Sequence, residues 1–295
     1  MLVLENLSKS FEGVNAVNDV SLTVGKGDIY GFLGPNGAGK TTTIRMIMGI
    51  IHPDSGLISL NGKDINALGR QNLGYLPEDR GLYQKQKLTE ILQYFGTLRG
   101  LAVSEAKKRT SKWLERFDLG DQGHRKVEEL SKGNQQKIQF ILSLLHDPDL
   151  IILDEPFTGL DPLNQLLLKE IIQEKRGEGK TIIFSTHQME QVERLCNNIC
   201  IIDKGVIVIE GLLDDIREKH SSNAVQVRFS GKIDRNEASN FLNELELTDN
   251  ILSGILKKSP NEFLTWINAI ANVLSFQLKV PTLEQIFLDR VGRKQ

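Results

Sequence analysis

Gly34-Pro35-Asn36-Gly37-Ala38-Gly39-Lys40-Thr41 fits the pattern G-x-x-x-x-G-K-[ST]. The residue types state what chemistry this spacing permits. Glycines let successive backbone N–H groups turn inward and form a nest for phosphate oxygens. A helix that starts directly behind the loop adds partial positive charge at the same point. Lys40 brings a point charge to the outer phosphates, and the Thr41 hydroxyl is a ligand for Mg²⁺. Gly34, Asn36, Gly37, Gly39, Lys40, Thr41 and the adjoining Thr42 are therefore the expected phosphate contacts. An apolar strand, Ile29 to Leu33, enters the loop, and an apolar-faced helix, Thr41 to Met48, leaves it. That context is the one the motif requires, and it implies a nucleoside triphosphate as ligand.

Leu150-Ile151-Ile152-Leu153-Asp154-Glu155 reads as a buried strand that ends in two acids. Neighbouring residues of a strand point to opposite faces, so the two carboxylates are expected to do different work. Asp154 suits an association with Mg²⁺. Glu155 suits a general base that polarises water for in-line attack on the γ-phosphate. An acid pair capping the next element is the plainer reading, and the phosphate loop upstream argues against it. His187, in Ser185-Thr186-His187, follows the next apolar strand. There it is placed to hydrogen-bond the γ-phosphate and sense its presence.

Elements of two kinds must hold these residues. The first 70 residues read as short strands broken by turns: Leu2 to Phe11, Val17 to Val24, Ile29 to Leu33, and a hairpin at Asn61-Gly62. From about Leu88 to Leu145 the apolar spacing is helical, with Leu88, Ile91, Leu92, Phe95 and Leu98 on one face. Two continuous apolar runs, Leu150 to Leu153 and Thr181 to Phe184, then enclose a helical stretch. Such runs joined by helices predict a parallel sheet covered on both faces. Beyond about Leu213, Val225, Val227 and Phe229 alternate as in a half-buried strand. Helical patterns are predicted near 236–245 and 262–274, and a last helix starts at Thr282, which forms a capping-box pattern with Gln285.

Leu130-Ser131-Lys132-Gly133-Asn134-Gln135 lies between the two phosphate motifs. Here the chain resembles the ATP-binding subunits of ABC transporters, whose signature reads Leu-Ser-Gly-Gly-Gln. Other family motifs occur in order: Phe11 before the first turn, the phosphate loop, Gly74-Tyr75-Leu76-Pro77-Glu78, the Asp154-Glu155 strand, Gly159-Leu160-Asp161-Pro162, and His187. The resemblance covers roughly residues 1–212. The C-terminal segment, with Pro281-Thr282-Leu283-Glu284-Gln285-Ile286-Phe287, resembles the extension of an export-type subgroup that includes sodium- and drug-extrusion ATPases.

The resemblance implies an α/β chain: a phosphate-loop NTPase sheet with an antiparallel β subdomain, a helical subdomain at about 80–147, and a small α/β accessory domain over 213–295. It implies that Phe11 stacks on the adenine of ATP, and that Ser131 and Gly133 bind the γ-phosphate held by an opposite subunit. Two subunits, alike or different, would then enclose two ATP molecules and drive a separate transmembrane permease, in the direction of export. Thr41, Asp154 and Glu78 are the implied Mg²⁺ neighbours. Two departures stand out. Glu78 replaces the family's glutamine and adds negative charge beside the phosphates. Lys132 and Asn134 replace a glycine and a glutamine of the signature, and a lysine beside phosphate is electrostatically favourable.

Composition narrows the alternatives. With 36 basic and 38 acidic residues the formal charge is −2, which argues against gripping nucleic acid through bulk charge. That balance, the single set of ATP motifs and the short insert disfavour a non-transport ABC ATPase of the repair or translation kind. No stretch is apolar enough to span a bilayer, and two cysteines cannot build a disulfide framework. A cytoplasmic chain, peripheral to the inner face of the membrane through its permease, is the expectation. Cys196 and Cys200 are expected to be buried small hydrophobes rather than metal ligands, and Trp113 and Trp266 to be packing residues.

Overall fold

The computed structural model of the chain describes residues 1–79, 81–220 and 223–291. It divides into two compact units, Met1–Leu213 and a second from Asp214 onward.

The first unit opens with β1 (Leu2–Phe11), β2 (Val14–Val24) and β3 (Ile29–Leu33), then α1 (Lys40–Ile47), β4 (Ser55–Leu60), β5 (Lys63–Asp64) and β6 (Leu73–Leu76). The helical region holds α2 (Leu88–Leu98), α3 (Val103–Arg116) and α4 (Lys132–Leu144). After it come β7 (Leu150–Asp154), α5 (Pro162–Gly177), β8 (Thr181–Ser185), α6 (Met189–Leu195), β9 (Asn198–Asp203) and β10 (Val206–Leu212). One sheet has the order β2-β1-β4-β5 and is antiparallel; the other has the order β10-β9-β3-β8-β7-β6. In the second sheet β9, β3, β8, β7 and β6 run parallel, and β10 closes one edge antiparallel to β9.

Every residue of β3, β7 and β8 is buried. That follows from their sequences: a strand covered on both faces needs a continuous apolar run rather than alternation. The same arrangement fixes where chemistry can occur. The carboxyl ends of β3, β6, β7 and β8 lie at one end of a parallel sheet, the end at which open α/β sheets bind ligands. The loop after β3, Glu78 after β6, Asp154 and Glu155 at the end of β7, and His187 after β8 all fall there.

The second unit contains α7 (Leu213–Lys219), β11 (Ala224–Ser230), α8 (Arg235–Ser239), β12 (Leu242–Leu247), β13 (Ile251–Leu256), α9 (Pro260–Ile270), β14 (Asn272–Lys279) and α10 (Leu283–Val291). Its sheet has the order β12-β13-β11-β14 and is antiparallel throughout. The succession β11-α8-β12-β13-α9-β14 in that order is the split βαβ, or ferredoxin-like, arrangement. Ala238 of α8 and Phe263 and Ile267 of α9 pack with Val225, Val227, Phe229 and Leu252, so both helices cover one face. Thr282 and Gln285 cap α10 reciprocally: the Thr282 N–H donates to Gln285 Oε1 at 2.9 Å, and the Gln285 N–H to Thr282 Oγ1 at 3.2 Å.

Two sequence expectations fail here. The helix expected near 236–245 is only the short α8, followed by strand β12, and the helix expected over 262–274 ends at Ile270, before strand β14. Cys196 and Cys200 are buried free thiols, and Trp266 stacks on Phe241 with centroids 4.6 Å apart. Trp113 stacks on Phe117 at 6.1 Å.

Candidate functional site

The loop after β3 is shaped by close approach. A Cβ on Gly39 would lie 2.4 Å from the Ala16 carbonyl oxygen of β2, and its φ of 106° is open mainly to glycine. A Cβ on Gly34 would lie 2.3 Å from the Ile202 carbonyl oxygen of β9. The loop is thus wedged between two strands, with no room for side chains at its ends. Lys40 begins α1 and folds back over the loop, donating to the Gly34 carbonyl at 2.6 Å and the Pro35 carbonyl at 3.0 Å. Burial pulls its pKa below the usual lysine range, while Asp154, Glu155 and Glu78 oppose that shift. Thr41 is exposed and Thr42 half-buried at the first turn of α1, and Asn36 and Gly37 are exposed at the tip of the loop.

Phe11 lies at the turn of the β1–β2 hairpin, opposite Val14, and the residue is 44 % exposed. The Lys9 ammonium sits 5.4 Å from its ring centroid. Ala16, which packs on Gly39, belongs to the same hairpin, so the fold carries an exposed aromatic face alongside the phosphate loop.

Asp154 is buried, and burial together with the nearby Glu78 and Glu155 charges raises its pKa to about 6. Asp154, Glu155 and Glu78 all act electrostatically on one lysine and leave an excess of negative oxygen, the donor chemistry a hard divalent cation takes. The Asp154 and Glu78 carboxylates fit Mg²⁺ on that ground. Among the described residues no group of three or more His, Cys, Asp or Glu could hold a metal. Mg²⁺ held through one or two side chains, phosphate oxygens and water requires no such cage.

Glu155 takes a left-handed backbone, φ 48°, just past β7, and its N–H donates to the Ser185 carbonyl of β8 at 2.9 Å. Its carboxylate is turned onto the segment after β8. Oε1 accepts from the His187 N–H at 2.7 Å and lies 2.7 Å from His187 Nδ1, while Oε2 accepts from the Thr186 hydroxyl at 2.9 Å. Glu155 and Thr186 are buried, whereas the His187 side chain is 74 % exposed.

The structure therefore brings Lys40, Glu78, Asp154, Glu155 and His187 to one end of the parallel sheet. Ser131 and Gly133 instead head α4, where the Ser131 hydroxyl accepts from the Asn134 N–H at 3.2 Å and caps the helix. One helical turn further, buried Gln136 donates to the Pro156 carbonyl at 3.2 Å, which ties α4 to the loop after Glu155. Gln136 and Thr186 have no role in the sequence reading. Thr186 was legible only as a hydroxyl beside His187, and Gln136 only as a polar residue on the apolar side of a helix.

Residues 17–158 match the family described as ABC transporter. The chain is 41 % identical over 294 residues to the uncharacterized ABC transporter ATP-binding protein YhaQ of Bacillus subtilis, covering 99 % of each chain. It is 40 % identical over 209 residues to the Nod factor export ATP-binding protein I of Burkholderia lata, covering 70 % of this chain and 69 % of that one. A solved ATP-binding subunit of an ABC transporter superposes on 74 % of this chain and 92 % of its own, with TM-score 0.70 and 35 % identity.

Proposed function

The chain belongs to the ABC transporter family of ATP-binding ATPases, and from that premise we propose that it is the motor subunit of an exporter. The observation that carries this reading is the gathering of Lys40, Asp154, Glu155 and His187 at the carboxyl ends of β3, β7 and β8. Gly34, Asn36, Gly37, Gly39, Lys40, Thr41 and Thr42 cradle the phosphates of ATP, and Phe11 stacks on its base. Mg²⁺, held near Thr41, Asp154 and Glu78, supplies charge neutralisation of the phosphate oxygens when bound. Glu155 takes a proton from water as the water oxygen bonds to the γ-phosphorus. The bond to the bridging oxygen breaks, and ADP and phosphate leave. His187 reports the γ-phosphate.

Residues 1–212 form the ATP cassette, with the helical subdomain at about 80–147, and 213–295 the accessory domain. Two such chains pair so that the capped start of α4, with Ser131 and Gly133, meets ATP bound by the other. A helix N-terminus is a natural phosphate site, which supports this assignment. Among the described residues no helix is long and apolar enough to cross a membrane. In this reading a separate permease holds the pair at the inner face. The name of the Nod factor relative supports export.

Glu155→Gln tests the motor. It should bind ATP, lose hydrolysis by about 10³-fold, and accumulate as a dimer seen by light scattering; a monomer with ATP bound would refute the pairing. Co-purification with a membrane protein encoded beside it, and ATP-dependent loss of substrate from loaded cells, tests the exporter reading.

A further inference from the structure

The two oxygens of the Glu155 carboxylate have different partners, and the difference is built into the fold. Oε2 meets the Thr186 hydroxyl at 2.9 Å, and Thr186 is 1 % exposed. Oε1 meets His187, through its N–H and its ring Nδ1, each at 2.7 Å, and that ring is 74 % exposed. Thr186 has one hydroxyl hydrogen and lone pairs to accept with. The Gln188 N–H donates to Thr186 Oγ1 at 3.1 Å, which occupies a lone pair and leaves the hydroxyl hydrogen directed at the carboxylate. An ionised carboxylate only accepts, so the chain Gln188 N–H, Thr186 O–H, Glu155 Oε2 runs in one direction.

We propose that Thr186 is a positioning residue for ATP hydrolysis: its hydroxyl pins Oε2 so that Oε1 is the oxygen that takes the proton from the attacking water. The inference rests on the reading of Glu155 as general base. Its physical content is a division of labour between a buried contact and an exposed one. The imidazole of His187 is exposed, so a γ-phosphate could draw it away, and that rotation would withdraw a neighbour from Oε1. Without the Thr186 bond the carboxylate would then be held only by the His187 N–H and would sample several rotamers. The Thr186 bond, buried just beyond the ends of β7 and β8, keeps a single orientation while Oε1 opens. Geometric precision of this kind decides how well a general base works, because the proton must lie within hydrogen-bond reach of its acceptor.

Thr186→Val keeps the shape and removes the hydroxyl. In the full-length chain with Mg-ATP, kcat should fall about tenfold or more, the range expected for loss of one hydrogen bond to a charged group, while KM and the affinity for a fluorescent ATP analogue change less than about twofold. Thr186→Ser should restore kcat to within about threefold, because it returns the hydroxyl. If the valine variant does not fold, Thr186→Ala carries the same expectations. Placed on Glu155→Gln, Thr186→Val should cost no further residual single-turnover hydrolysis, because its effect passes through the carboxylate. A valine variant with unchanged kcat, a serine variant as slow as valine, or an additive loss on the Glu155→Gln background would each overturn the proposal. Undiminished hydrolysis by Glu155→Gln alone would instead overturn the general-base reading on which it stands.

Discussion

The β3-containing sheet of the first unit and the β11-containing sheet of the second solve the same packing problem with different interiors. Among the described residues every buried polar or charged side chain lies in the first unit, and four of them, Asp154, Glu155, Ser185 and Thr186, are at the ends of β7 and β8. Among the described residues the buried side chains of the second unit are apolar, with Val225, Val227, Phe229, Leu252, Phe263 and Ile267 among them. Burying a carboxylate costs free energy unless partners compensate it. The first unit carries that cost where β strands end together and donors are close at hand. Among the described residues the interior of the second unit is apolar, and its polar and charged side chains are left half-buried or exposed.

The largest effect should come from the interior of the second unit. Phe263→Ala removes a fully buried ring that packs on Phe241, Trp266 and Phe276, at a cost of about 4 kcal/mol. Hydrogen exchange should show β11 to β14 losing protection while β3, β7 and β8 keep theirs. Equal loss in both sheets would break the contrast.

Lys40→Ala should do the reverse. It should lower ATP affinity about 100-fold, because charge-assisted contacts to phosphate are among the strongest available. Titration with a fluorescent analogue measures the loss, and the melting of the second unit should not move.

Acid sensitivity should also belong to the first unit. His146 is buried against the Leu73 carbonyl, with Nε2 at 3.0 Å, and burial lowers its pKa to about 4. Above pH 6.5 both folded and unfolded chains leave it neutral, and it adds no pH dependence. Below that, the unfolded chain takes a proton that the folded chain refuses until about pH 4, so stability falls as pH falls. Between pH 7 and 5 this amounts to about 2 kcal/mol. His146→Gln should flatten that part of the stability curve in urea titrations, and an unchanged slope would remove His146 as its source.

The smallest effect is expected at Phe11. Replacing its exposed ring by Ala should weaken ATP binding about tenfold through lost stacking, and guanine and adenine nucleotides should lose equally if only the ring face matters.

Much of the first unit was legible because its signals are local. A phosphate loop needs glycines at fixed places, and a strand buried on both faces has to be apolar throughout, so β3, β7 and β8 declare themselves. The second unit was harder to read for a physical reason. In β12 the pairing with β13 slips between Asn243 and Glu246, and Glu244 has φ 50°, so one extra residue separates Leu242 from Leu245. That irregularity converts the strand's twofold alternation into a spacing of three, which imitates a helix. Likewise Phe263, Ile267, Ile270 and Leu274 keep helical spacing past the true end of α9. The chain extends at Ala271 because β11 offers an edge with which β14 can pair.

The sequence by itself determined the ATP motifs, their order and the family, since each depends on residue types at fixed separations. Only the tertiary structure decided that Glu155 is held jointly by Thr186 and His187, and that Gln136 ties α4 to the loop beyond it. Those contacts join residues far apart in the chain, or depend on where a side chain turns. Hydrogen-bond geometry is set by the packing of β7 against β8, and no local spacing encodes it.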